Sequence, residues 1–207
     1  VVEDFREMRD LGVNVVRIHL QTHRFLLSPD RPHPANLRRL DALLELAEAH
    51  QLYLDITGLG QYHRETIPSW FMALDETQRW RAQAQFWEAV ASVGAGHPSV
   101  FCYNLMNEPI LPGKSRETDW LAGEFGGKTF VQRLALESRG RERGAIAESW
   151  VRTMTEAIRR HDPDALVTLR VIPWGLVFPG AQPVFYAPDV AHHLDFVSLH
   201  VYPKPDN

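Results

Sequence analysis

The chain has 207 residues and 44% hydrophobic content, enough to bury a sizeable core and of a length that fits one domain better than two. Its 22 basic and 26 acidic residues are well mixed, for a net charge of -4, so no basic stripe suits a phosphate backbone and no polybasic patch suits a membrane. Nucleic acid and membrane are set aside as partners, and no run of about 18 apolar residues is present to span a bilayer.

Val1 to Arg9 opens with Val1, Phe5 and Met8 at helical spacing, so it reads as a helix already under way rather than a targeting segment. Leu11-Gly12 supplies a stop, and Val13 to His19 reads as a β-branched strand. Asn36 to His50 carries Leu37, Leu40, Leu43, Leu44 and Ala47 at helical intervals, and Leu52 to Thr57 follows as a strand ended by Gly58. A helix from about Gln78 to Val93, with Phe86 and Trp87 on its inner side, leads through Gly96-His97-Pro98 into the apolar strand Ser99 to Met106. Cys102, the only cysteine, lies in that strand and reads as a small core residue. A long helix from about Ala145 to Arg160 precedes the strand Leu166 to Leu169, and Phe196 to His200 is the last strand.

Five apolar strands alternating with amphipathic helices predict a parallel sheet with helices outside and right-handed crossovers. The long connections Gly58 to Thr77 and Ile110 to about Lys128 leave from carboxyl ends of strands, where such folds build their active sites. A complete doubly wound open sheet is the alternative. Five strands do not close an eight-stranded barrel, and long apolar edges invite aggregation. The expectation is therefore an incomplete single catalytic domain over residues 1–207, with one strand missing before it and two after it, so that the remaining barrel strands are its structural partner.

Asn107-Glu108-Pro109 places a carboxylate where a buried strand opens into a loop, which makes Glu108 the leading catalytic candidate. Arg17 needs a partner for its guanidinium, because an unpaired buried cation is costly. His200 and Tyr202 share a face by the strand period of two. Trp70, Trp120 and Trp174 fall in loops after strands, where indole faces could stack on a bound substrate ring, whereas Trp80, Trp87 and Trp150 read as helix packing.

These motifs resemble the retaining glycoside hydrolases of clan A, cellulase-like, and most of all family 5. Leu11 to Ile18 is similar to that family's second-strand motif, Asn107-Glu108-Pro109 to its fourth-strand acid/base motif, and His200-Val201-Tyr202-Pro203 to its sixth-strand motif. The resemblance implies a partial (β/α)8 TIM barrel that hydrolyses O-glycosidic bonds in β-linked oligo- or polysaccharides with no cofactor and no metal. It makes Glu108 the acid/base, gives Asn107 the sugar 2-hydroxyl, has Arg17 and Tyr202 orient the nucleophile, and puts His200 beside the scissile bond. Thr57 stands where the family usually has a histidine, with His63 in the next loop as a possible substitute. The family's nucleophile is a seventh-strand glutamate, beyond this sequence. Glu124, Glu137 and Asp195 do not fall at strand ends and read as solvated or capping carboxylates.

Two rival readings carry a test. A metal-dependent amidohydrolase-type barrel is prompted by ten histidines, among them His19, His23, His63 and His200, but it should show a His-x-His pair on an early strand. A non-catalytic carbohydrate-binding relative, or an inert fragment, would bind oligosaccharide without turnover.

Overall fold

The computed structural model describes residues 1–172 and 184–201; Trp174 and Tyr202 lie outside the described residues. In chain order it contains α1 (Val2–Asp10), β1 (Val15–Gln21), α2 (Thr22–Phe25), β2 (Leu26–Ser28), β3 (Arg31–Pro32), α3 (Pro34–Ala49), β4 (Tyr53–Gly60), α4 (Ser69–Met72) and α5 (Glu76–Gly94). There follow β5 (Val100–Asn107), β6 (Pro109–Ile110), β7 (Leu121–Phe125), β8 (Lys128–Arg133), α6 (Arg143–Arg159), β9 (Val167–Val171), a short helix Pro188–Ala191 and β10 (Phe196–Leu199).

The main sheet has the order β1-β4-β5-β9-β10, and every neighbouring pair is parallel. A doubly wound sheet reverses its strand order at a switch point. Here the order in space is the order in the chain, and α3, α5 and α6 pack side by side against one face. The architecture is a partial (β/α)8 barrel of five parallel strands with helices outside.

The helices form where the periodicity places them, and their caps explain the limits. Asp75 accepts from the Gln78 backbone N–H while the Gln78 side chain reaches back to the Asp75 backbone, a capping box that starts α5. Along α6 the buried residues Ile146, Ala147, Trp150, Val151, Met154, Ala157 and Ile158 make one continuous stripe. The Trp150 indole N–H donates to Gln83 Oε1 at 2.8 Å, which satisfies a polar atom inside the α5–α6 contact. Trp87, Phe86 and Tyr103 continue this core with edge-on ring contacts. Full burial of each such side chain contributes about 1.5–3 kcal/mol.

Two expectations change. Gly58 does not end its strand; β4 runs on to Gly60, and a Cβ at Gly58 would stand 2.3 Å from the Trp87 ring and 2.7 Å from Phe86. Glycine is there because those rings close on the strand. The second change is in the segment from Ile110 to Lys128, which carries strand structure rather than only a connection. β7 and β8 form an antiparallel hairpin turned by Gly126-Gly127, whose φ values of 57° and 72° suit the two-residue turns that favour glycine. Thr129 N–H donates to Tyr62 O at 2.9 Å, Thr129 Oγ1 to Gln61 O at 2.6 Å and Gln132 Nε2 to Leu59 O at 2.7 Å. The hairpin is thereby fastened across the carboxyl end of β4.

Candidate active site

Glu108 follows directly on β5 with φ of 46°, a left-handed backbone that costs a non-glycine residue about 1–3 kcal/mol and persists only when its surroundings hold it. What holds it is a backbone bond from Glu108 N–H to Arg170 O, 3.2 Å, and a close contact between Glu108 Oε1 and His200 Nδ1. The two side chains are 14% and 7% exposed, so this contact sits almost out of water. Leu59, at the corresponding end of β4, has a left-handed φ of 56° as well.

Arg17 gathers the group. Its Nε donates to Thr57 Oγ1 at 2.7 Å, Nη2 to Asn107 Oδ1 at 3.0 Å, and Nη1 meets His200 Nε2 at 3.2 Å. A guanidinium can only donate, so His200 Nε2 is the acceptor, the ring is the neutral Nδ1–H tautomer, and Nδ1 is left to donate to the Glu108 carboxylate. The same logic fixes the Asn107 amide. Its oxygen takes the Arg17 bond and its nitrogen donates to Phe130 O at 2.8 Å, which leaves one amide N–H for a ligand.

Beneath this rim lies a second tier. Thr57 accepts from Arg17 and donates a hydrogen bond to Asp55 Oδ1 at 3.2 Å, while Asp55 Oδ2 accepts from Arg170 Nη2 at 2.9 Å. Asp55 is 4% exposed, so the Arg170 partnership is what makes a carboxylate tenable there. Burial, and then the nearby Asp55 charge, push the Cys102 thiol well above its usual range.

On the β1 side, His19 Nδ1 is in close contact with the Tyr62 hydroxyl, the ring centroids 5.3 Å apart, and Tyr62 stands 5.6 Å from Phe130. Burial of the inner side of His19 lowers its pKa to about 4, helped by Arg17, Arg170 and His200. Burial raises the Tyr62 hydroxyl to about 12, with Arg17 acting against it and Glu108 adding to it.

The family model described as Cellulase (glycosyl hydrolase family 5) matches residues 3–207. The chain belongs to glycosyl hydrolase family 5. No curated protein matches it. Among solved structures, it is similar to the exo-beta-1,4-mannosidase of Opitutaceae bacterium strain TAV5 at 19% identity and a TM-score of 0.68, over 99% of this chain and 35% of that one. GH5_18 from Streptomyces cattleya in complex with Manb1-4GlcNAc matches at 17% identity and a TM-score of 0.62, over 84% and 40%. Endo-glycoceramidase II from Rhodococcus sp., solved as a lactosyl-enzyme intermediate, matches at 19% and 0.58, over 82% and 44%. The chain thus spans less than half the length of each of these solved chains, and at these identities the likeness bears on the fold.

Within this family 5 chain the structure brings Glu108, Asn107, Arg17 and His200 together, Asn107 and Glu108 from the carboxyl end of β5, His200 from just past β10 and Arg17 from within β1, and adds Thr57 from within β4. Tyr202 and Trp174 fall outside the described residues. The other proposed sugar contacts stand apart. Trp120 is 6% exposed, and the Arg79 guanidinium lies 4.4 Å from its ring centre, so its indole is packing for the hairpin base rather than an open platform. Trp70 is half-buried and meets Phe71 edge-on. His63 Nδ1 lies 3.6 Å from Glu65 on an exposed loop and is not brought into the Glu108 group. Asp195 Oδ2 caps Val167 N–H at 2.7 Å and pairs with Arg159, and Glu137 pairs with Arg139. Among the described residues no three His, Cys, Asp or Glu side chains form a metal-ligand group.

Sequence reasoning missed Tyr62, Phe130, Arg170 and the role of Asp55. Arg170 did carry a signal: it is a charged residue in an apolar strand, two places beyond Thr168 on the same face, as Arg17 is on β1.

Proposed function

We propose that the protein hydrolyses O-glycosidic bonds in β-linked oligo- or polysaccharides by a retaining double displacement, with Glu108 as general acid/base. The reading treats residues 1–207 as a portion of a single catalytic domain and places the nucleophilic carboxylate outside these residues. The observation that carries it is the setting of Glu108: a backbone held left-handed at a strand end, with its carboxylate against His200 and Asn107 and Arg17 beside it.

In this mechanism Glu108 gives a proton to the leaving oxygen while a second carboxylate, about 5–5.5 Å away, attacks the anomeric carbon. Glu108 then takes a proton from the water that releases the sugar. His200 aims the carboxyl group through its Nδ1–H, and Arg17 holds both His200 and Asn107 in place. The free Asn107 N–H is available to the sugar 2-hydroxyl, a contact that strengthens as the ring approaches the oxocarbenium ion. The lactosyl-enzyme intermediate of the Rhodococcus enzyme is the kind of covalent species this route requires, and the mannosyl ligand of the Streptomyces protein supports a β-linked glycan. No step needs a cofactor.

The test is Glu108→Gln in the intact protein. Turnover should fall by about 10²–10⁴ for substrates with poor leaving groups. It should fall least in the first step for activated aryl glycosides, which need no proton to depart. Equal losses of glycosylation rate for both kinds of substrate would overturn the acid role.

A further inference from the structure

The rim on the β1 side has a composition that the hydrolytic machinery does not use. Tyr62 and Phe130 are half-buried rings in contact with each other, and His19 is exposed at the end of β1 on the same face as Arg17. All three are fixed from behind. The Tyr62 carbonyl accepts the Thr129 N–H, Phe130 sits in β8 with its own carbonyl bonded to Asn107, and His19 leans on the Tyr62 hydroxyl. The group lies close enough to the acid for Glu108 and Arg17 to act on the Tyr62 hydroxyl, and for Arg17 and His200 to act on His19.

The protonation of this pair is ordered as well. Tyr62 keeps its proton to about pH 12 and His19 stays neutral down to about pH 4, so with Nδ1 engaged by the Tyr62 hydroxyl the imidazole has Nε2 to offer a ligand, as donor or acceptor according to its tautomer. A neutral imidazole nitrogen beside apolar ring surface is suited to a pyranose, whose C–H face packs on a ring while its hydroxyls, which both donate and accept, are read by hydrogen bonds. A free carboxylate or phosphate would be served better by an uncommitted cation.

We propose that His19, Tyr62 and Phe130 form a sugar-binding subsite next to Glu108, in which His19 Nε2 reads one hydroxyl of a bound glycan. This rests on the glycan substrate proposed above. Because a site built to bond a hydroxyl discriminates against the analogue that lacks it, His19 is a specificity-determining residue. The rings are held before any sugar arrives, which lowers the ordering cost of binding.

The experiment uses the intact protein, aryl glycosides of a β-linked disaccharide, and monodeoxy analogues that remove each hydroxyl in turn. His19→Ala should raise KM about tenfold, with a smaller change in kcat, and abolish the discrimination against one particular deoxy analogue. His19→Gln, which keeps a neutral hydrogen-bonding group, should recover part of it. Phe130→Leu keeps apolar volume but loses the flat ring, and should weaken calorimetric binding of the oligosaccharide about fivefold. Unchanged KM and an unchanged deoxy series in His19→Ala would overturn the subsite even if Glu108→Gln abolishes turnover. If Glu108→Gln retains turnover while His19→Ala weakens binding, the subsite stands and the acid/base assignment falls.

Discussion

On β5, Tyr103 and Leu105 are fully buried in the apolar core, Tyr103 edge-on to Trp87, whereas Asn104 Oδ1 meets the Arg170 N–H and Asn107 is locked between Arg17 and Phe130. The two sides of the barrel wall follow different rules. Against the helices, stability comes from volume and shape, with many neighbours sharing each contact. On the barrel side, Arg170, Asp55, Thr57, Arg17, Asn107, His200 and Glu108 form a sequence of directed bonds in which each donor has a particular acceptor. A fault in the first region is paid in unfolding free energy, and one in the second is expected to appear in the rate.

Three measurements would break or sharpen that contrast, beginning with the largest expected effect. Trp150→Ala should destabilise the fold by about 3–5 kcal/mol in denaturant unfolding, through lost burial and the space it leaves. Activity per folded molecule should be retained; a large fall in it would show that the helix side reaches the chemistry.

Asp55→Asn removes the charge facing Arg170 and should cost about 1–3 kcal/mol of stability. It should also lower kcat/KM, because the amide keeps one acceptor oxygen for the two donors Thr57 and Arg170, which loosens the support beneath Arg17. Adding Arg170→Met should return part of the stability but not the rate. Recovery of both together would make the lower tier purely structural.

The smallest effect concerns pH. His19 has a pKa near 4 when folded against a normal value of 6.5, so between those values the unfolded chain takes up a proton that the folded one refuses. Stability contributed by His19 is complete above pH 6.5 and declines as pH falls toward 4. His19→Gln should flatten that part of the pH–stability curve, with the slope kept small by the exposed edge of the ring.

The strands and the place of Glu108 just past β5 were legible because they rest on local signals: β-branched runs, helical spacing, and an Asn-Glu-Pro at a strand end. What was not legible depends on partners distant in the chain. Nothing near Gly58 announces that Trp87 and Phe86 will close on it, and the aromatic character of Trp120 does not reveal that Arg79 will cover its ring. The hairpin was hidden for another reason. Its strands are short, with glycine and charge breaking the alternation, and it is secured by bonds to Leu59, Gln61 and Tyr62 some seventy residues earlier. Sequence spacing likewise brought out His200 but not Tyr62, which enters through a loop.

Phe130 supports Asn107, the neighbour of Glu108, with its carbonyl and meets Tyr62 with its ring. The first contribution belongs to the main chain and survives any side chain that keeps β8 extended; the second depends wholly on which amino acid is there. Under the proposed subsite, exchanging that ring for another group retunes which glycan settles at the rim while leaving the amide of position 107 anchored as before. On that reading preference and proton transfer are separable at a single position, which makes it the natural first site for redirecting the proposed activity toward a new sugar.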